Sequence, residues 1–308
     1  MAKIKITSIF LFLIFIINCS QSSDIDEGYI NIGETSLYYK IIGTGEPLLV
    51  LHGGPGFDHQ ILMPYIGKLG LYHKVIQYDQ RGSGLSKGPV DATSINIHNF
   101  VEDIEIIRKR LNIDKLNLVG VSWGGILAMF YSIKYPENLN SLILFSTAAS
   151  SELLYKMYPA MNKNRTPEDD ELIKSISKSE GFQRKDPEIL EKFYRTFCKA
   201  QFVDQSLASK INMTISENTA KNMDSINKYI MSSIGRFNLH ESLKVINCPT
   251  LIMHGKKDPL PLEAAEKIHS MIPNSELIIF NNSGHWIFIE EEDKFYKTVN
   301  EFLAKVTN

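Results

Sequence analysis

The stretch that most restricts what this chain can fold into is Leu116 to Gly125. Leu116 to Val121 is an apolar run, interrupted by Asn117, of the kind that forms a short buried strand, and a helical pattern, Ile126 to Tyr135, follows almost at once. Between them lies Gly120-Val121-Ser122-Trp123-Gly124, a G-x-S-x-G at a strand-to-helix turn. A serine on so sharp a turn must adopt a strained backbone. The residues two before and two after it must lack bulk where strand and helix nearly collide. Such a turn lifts the Ser122 hydroxyl clear of the sheet and leaves the Trp123 N–H free at a helix N-terminus.

Further strands place this turn in an α/β pattern. Tyr29 to Ile32 and Leu37 to Ile42 flank Gly33-Glu34-Thr35-Ser36 and read as a hairpin. Pro47 to Leu51 is a short apolar strand of the buried, parallel kind, ending in His52-Gly53-Gly54-Pro55-Gly56. Glycines so dense imply backbone approaching something closely. Lys74 to Tyr78 is a strand closed by Asp79-Gln80-Arg81-Gly82-Ser83-Gly84. Phe100, Ile104, Ile107 and Leu111 recur at helical spacing, and Leu142 to Phe145 is another strand. From 148 to 239 strand signals vanish and charged helical segments with aromatic residues replace them, as in Asp186-Pro187-Glu188 followed by Ile189, Leu190, Phe193 and Phe197. The α/β pattern resumes at Pro249 to His254 and Glu276 to Phe280, and Glu291 to Val306 predicts a closing helix. The expectation is a mostly parallel sheet built from 29–147 and 240–308, with a helical cap inserted at 148–239.

The resumed strands supply partners for the serine. Asp258 follows the strand ending in His254-Gly255, and His285 follows the strand ending in Phe280. Both lie past the C-terminal ends of their strands, as Ser122 does, and ligands bind at that edge of a parallel sheet. A serine hydroxyl is a poor nucleophile without a base. Neutral imidazole is that base, and a buried carboxylate fixes its tautomer and steadies the imidazolium. Trp123 N–H is the expected first donor to an oxyanion. Gly54 N–H is the expected second, since Pro55 has none. His52 is read as orienting its loop, and Arg81 as bracing the one that carries it. A site of this kind calls for no metal and no cofactor.

His52-Gly53-Gly54-Pro55-Gly56, Asp79-Gln80-Arg81-Gly82-Ser83-Gly84 and Gly120-Val121-Ser122-Trp123-Gly124-Gly125 together resemble the proline iminopeptidase branch of the α/β-hydrolases. The resemblance runs from about Tyr29 to the end and is weakest in the insertion. It implies the α/β-hydrolase fold with a helical cap over the site, and release of N-terminal residues, often proline, from peptides. It carries over Ser122 as nucleophile, Asp258 as acid partner, His285 as base, and Gly54 with Trp123 as oxyanion donors. Relatives with the same signature cleave esters, lactones or amides, so an esterase or other acyl hydrolase is the alternative. A surface lipoprotein that keeps the fold only to bind something is a further one. Family aminopeptidases hold the substrate amine with cap glutamates, yet the Gly-Pro-Asn-Glu-like stretch that often carries one is not evident before Phe237. Glu188, Glu191 and Glu217 are the candidates that remain, with Asp204 and Asp224 behind them.

Composition limits the partners. Of 308 residues 22% are charged, and the formal net charge of −2 leaves no basic excess for nucleic acid. The substrate expected is a small peptide or ester. Three cysteines, Cys19, Cys198 and Cys248, make neither a disulfide framework nor a zinc spacing. Cys19 follows Lys3, Lys5 and the apolar run Ile6 to Ile17, which is too short to span a bilayer but has the length of a signal-peptide core. Ile16-Ile17-Asn18-Cys19 resembles a bacterial lipobox, with Asn18 where Gly, Ala or Ser is usual. On this reading 1–18 is a signal peptide, Cys19 is lipidated, and 19–28 is a tether to the bacterial membrane on its periplasmic or cell-surface side. A cleaved ordinary signal peptide and an uncleaved anchor are the other readings. All three export the protein.

Overall fold

The computed structural model describes residues 25–307. The proposed signal peptide and Cys19 lie outside them. Eight strands form one sheet in the order β1-β2-β4-β3-β5-β6-β7-β8: β1 Ile25–Ile32, β2 Thr35–Ile42, β3 Pro47–Leu51, β4 Lys74–Tyr78, β5 Leu116–Val121, β6 Leu139–Phe145, β7 Thr250–Gly255 and β8 Ser275–Phe280. The β1–β2 and β2–β4 pairs are antiparallel and the others parallel. β1 starts at Ile25, four residues before the expected Tyr29. Its partners Ile25↔Ile42 to Gly28↔Tyr39 extend the hairpin into the stretch read as tether. Pairing with β2 overrides the polar character of Asp26 and Glu27, whose side chains stay exposed on an edge strand.

The helices are α1 Ile97–Arg110, α2 Trp123–Lys134, α3 Ser151–Asn164, α4 Pro167–Ser177, α5 Glu180–Gln183, α6 Pro187–Cys198, α7 Glu217–Ile234, α8 Glu263–Met271, α9 Ile287–Glu290 and α10 Glu292–Thr307. Side chains alternate across the central strands, so both faces are buried and the strands read as continuous apolar runs. Leu49, Leu51, Leu118 and Leu144 pack with Phe100 and Ile104 of α1, Leu127 of α2 and Ile268 of α8. Leu48, Val50, Val119 and Ile143 face the other way, onto Phe295, Val299 and Phe302 of α10. Helices α3 to α7 fall between β6 and β7. Their N-caps are serine, threonine or aspartate side chains: Ser150, Thr166, Ser179, Asp186 and Ser216. No helix among the described residues is long and apolar enough to cross a membrane.

The junction of β3, β5 and α2 has no spare room. A Cβ on Gly124 would stand 2.2 Å from the Leu51 carbonyl oxygen and 2.7 Å from that of His52. One on Gly120 would stand 2.6 Å from the Gly124 oxygen. Both obstacles are backbone and cannot rotate away. Gly124→Ala is therefore expected to lower unfolding free energy by about 3 kcal/mol or more, measured by urea titration. Gly33→Ala, with a φ of +59° but nothing within 4 Å of the new Cβ, should cost only about 1 kcal/mol. The reverse ranking would show that the β5–α2 turn can open.

Candidate active site

Ser122 sits between β5 and α2 with φ 53° and ψ −117°, a region that side-chain-bearing residues rarely occupy. The turn is held from both sides. Ser122 N donates to the Phe145 carbonyl at 3.1 Å, and Thr147 Oγ1 donates to the Ser122 carbonyl at 2.7 Å. The Ser122 hydroxyl has no hydrogen-bond partner among the described residues and lines a cavity of about 450 Å³.

His285 lines the same cavity. Its Nδ1 lies 2.8 Å from Asp258 Oδ2 and 3.1 Å from Oδ1, and the Asp258 side chain is fully buried. Leu260 N donates to Asp258 Oδ1 at 2.8 Å, which fixes the carboxylate plane. An ionised carboxylate only accepts, so Nδ1 carries a proton and Nε2 is the nitrogen left for the serine. His254, also buried, places Nε2 at 4.0 Å from Asp258 Oδ2 and at 3.0 Å from the Leu260 carbonyl.

The loop after β3 faces the turn. A Cβ on Gly53 would meet the Val121 carbonyl at 3.2 Å and Ser122 Cβ at 3.3 Å. Gly54, at φ 64°, and Trp123 both line the cavity, and neither backbone N–H has a partner among the described residues. Free N–H groups beside a serine hydroxyl are the arrangement an oxyanion requires. Gln80 ties the two loops together: its side chain accepts from Trp123 Nε1 at 2.8 Å and donates to the His52 carbonyl at 3.1 Å.

The other polar residues near these loops brace them. His52 Nδ1 lies 3.1 Å from the Gly53 carbonyl and its Nε2 accepts from Gln80 N at 3.3 Å. Burial lowers its pKa to about 4. Arg81 makes two 2.7 Å bonds to Asp103 and one of 3.0 Å to Thr35. Asp58, His59 and Asp79 place donor atoms within 4.8 Å of one another, as metal ligands do. They are already used, however. Asp79 accepts from His59 N at 3.0 Å and Leu85 N at 2.7 Å, and His59 Nδ1 is 2.7 Å from it. Asp58 accepts from Gln60 N and from Thr219 Oγ1 of α7. Asn218 of α7 donates to the carbonyls of Gly82, Gly84 and Ser86, so the Asp79–Gly84 loop is where the cap seats on the core.

The cap supplies the apolar walls, among them Leu154 and Met157 of α3 and Tyr194 and Phe197 of α6, facing Phe57 and Trp286 of the core. No carboxylate lines the cavity among the described residues. Glu188 and Glu217 are exposed in the first turns of α6 and α7. Glu191 is half-buried and accepts from Ile215 N at 2.8 Å, bracing α6 against the approach to α7. Asp204 and Asp224 are exposed. A residue with no motif to announce it, Gln201, lines the cavity instead. Its carbonyl accepts from His285 N at 2.8 Å.

A strained serine, a carboxylate-held histidine and a pair of free N–H groups at the C-terminal edge of a mostly parallel sheet define a hydrolase of the α/β type. The chain belongs to the α/β-hydrolase fold family, whose model matches residues 46–292. It is 31% identical to a proline iminopeptidase of Saccharolobus solfataricus over 95% of this chain and 96% of that one. An esterase from Exiguobacterium antarcticum superposes with a TM-score of 0.65 at 26% identity, covering 91% and 99% of the two chains. The proline iminopeptidase of Mycobacterium smegmatis shares the fold with a TM-score of 0.67 at 21% identity, covering 91% and 98%.

The buried titratable groups set opposing pH dependences. Unfolded, His52 protonates near 6.5, whereas folded it resists protonation down to about pH 4. The unfolded state therefore binds more protons in that window, and stability falls as pH drops through it, by up to roughly 3 kcal/mol. Asp58 is displaced the other way, up to about 6, by burial and by the Asp79 carboxylate. Its contribution is lost as pH rises through about 6 and regained on acidification, which partly offsets His52. Urea unfolding at several values between pH 7 and 4 is expected to give a shallower decline in His52→Gln and a steeper one in Asp58→Asn than in the wild type. Parallel profiles would mean that neither group titrates differently in the folded state.

Proposed function

We propose that this protein is a serine hydrolase that cleaves ester or amide bonds of small substrates with uncharged, largely apolar acyl groups. The observation that carries the reading is that Ser122 and the Asp258-held His285 share a cavity whose walls are largely apolar and, among the described residues, bear no carboxylate. Ser122 Oγ attacks the carbonyl carbon while His285 Nε2 takes its proton. Gly54 and Trp123 N–H groups meet the oxyanion that forms. Collapse expels the alcohol or amine, which receives the proton from His285. Water, deprotonated in turn by His285, attacks the acyl carbon, and His285 returns the proton to Ser122 Oγ as the bond to the serine breaks and the acid leaves.

A second reading, an aminopeptidase releasing N-terminal residues such as proline, is favoured by the name of the Saccharolobus solfataricus relative. It requires a counter-charge for the substrate ammonium, because burying that group unpaired costs several kcal/mol. The cavity offers none among the described residues, and Glu188, Glu191 and Glu217 stand outside it.

Ser122→Ala is expected to abolish fluorophosphonate labelling and lower kcat by about 10⁶, with Asp258→Asn costing about 10⁴. Near wild-type turnover in either purified variant would remove the serine mechanism. Rates on prolyl-naphthylamide, its N-acetyl derivative and short p-nitrophenyl esters choose between the readings. The ester reading expects acetylation to leave cleavage unchanged or improve it, and a sharp loss on acetylation would hand the assignment to the aminopeptidase.

For the N-terminal segment we propose lipoprotein processing at Cys19. Mass spectrometry of the membrane fraction should find a diacylated or triacylated Cys19 as first residue. An unmodified N-terminus beyond it would mean ordinary signal cleavage.

A further inference from the structure

Gln201 ends the short turn Lys199–Gln201 that follows α6, and it is 8% exposed. It makes two contacts with the histidine loop. Its carbonyl accepts from His285 N at 2.8 Å, and its side-chain Oε1 accepts from Trp286 Nε1 at 2.9 Å. The packing is close enough that a Cβ on Gly284 would come within 2.2 Å of the Gln201 carbonyl oxygen. Indole N–H is a donor and never an acceptor, so the Trp286 bond fixes which end of the amide is oxygen. The amide nitrogen must then point the other way.

There its partner is the Met161 sulfur at 3.8 Å, and a thioether is a weak acceptor. An amide nitrogen carries two hydrogens, so at least one N–H of a side chain more than nine-tenths buried lacks a proper acceptor. Gln201 and Met161 both line the cavity that holds Ser122. A buried donor of this kind discriminates against any ligand that leaves it unpaired.

We propose that Gln201 is a specificity-determining residue, whose Nε2 donates to an oxygen acceptor carried by the acyl group of the substrate. The preferred substrate class is then an ester or amide of an uncharged acid with an ether, hydroxyl or carbonyl oxygen along an otherwise apolar chain. The proposal rests on the acyl-hydrolase reading above. Apart from Ser122, the other hydroxyl and amide side chains that line the cavity without a hydrogen bond among the described residues are Tyr155, Tyr158 and Asn227, which are exposed, and Tyr194 of α6, which is half-buried; the test has to separate Tyr194 from Gln201.

The test is an ether scan. The substrates are p-nitrophenyl hexanoate and its isosteres with oxygen replacing the methylene at carbon 3, 4 or 5, each corrected for its rate of hydroxide hydrolysis. Wild-type enzyme is expected to favour one isomer in kcat/KM by roughly 5–10-fold, the worth of one neutral hydrogen bond. Gln201→Met should erase that ratio whatever its rate on hexanoate, since a structural role alone would lower all four esters together. Tyr194→Phe should retain the ratio, and it answers the question even if Gln201→Met does not fold. A flat wild-type scan overturns the proposal, as does a preference that survives Gln201→Met or disappears in Tyr194→Phe. Fluorophosphonate labelling of Ser122 in the same preparation keeps the two levels apart. A flat scan with a labelled serine removes only the role of Gln201, whereas no labelling removes the acyl-hydrolase reading and this inference with it.

Discussion

The structure depends on one close approach: backbone against backbone where β5 turns into α2. Ser122 is held at a positive φ, and Gly124 passes so near the Leu51 and His52 carbonyls that no side chain fits. Such a conformation is unfavourable by itself and persists because its surroundings over-determine it. The Phe145 carbonyl and the Thr147 hydroxyl hold the two ends of the Ser122 peptide. The contact that forbids bulk at Gly124 also brings the β3 loop to the serine, so that Gly53 and Gly54 face it. A single steric constraint thus sets the conformation of Ser122 and one wall of the cavity it lines.

The second layer is electrostatic and lies almost entirely out of water. Three carboxylates behind the loops do different work. Asp258 holds His285, Asp79 gathers the N–H groups of His59 and Leu85 with the His59 ring, and Asp103 takes the fork of Arg81. Each has strong donors of its own, the condition under which a buried charge is tolerated, although at Asp103 burial outweighs the Arg81 bonds and pushes the carboxyl up to about 7. His52 is kept neutral by burial, so it can accept from Gln80 N where an imidazolium would repel that donor. The loops that line the cavity are consequently rigid without being part of any regular element.

Above this base the cap supplies much of the cavity wall. Its helices bring leucine, methionine and aromatic side chains, and its polar groups at the cavity are the amides of Gln201 and Asn227 and tyrosine hydroxyls, with no carboxylate among the described residues. The cap seats through Asn218 and Thr219 on backbone groups of the Asp79–Gly84 loop. Those bonds are insensitive to which side chains line the opposite face of α6 and α7, so the lining can change while the seating stays.

Sequence alone determined the sheet and its switch to helices, because buried parallel strands are continuous apolar runs and the insertion lacks them. It also determined the order of serine, acid and histidine, because each follows a recognisable strand end. The glycines at 120 and 124 were legible for the same reason: only absent side chains permit that turn. The start of β1 at Ile25 was not legible, since an edge strand carrying Asp26 and Glu27 shows no apolar pattern and exists through pairing with β2. Nor could sequence say which cap side chains reach the cavity. Glu188, Glu191 and Glu217 have helical contexts no different from those of Tyr194 or Phe197, and their direction is set by how α6 and α7 pack on each other and on the core. Gln201 has no motif at all. Its position against His285 and Trp286 joins residues 84 and 85 positions apart, a contact that exists only once the chain has closed on itself.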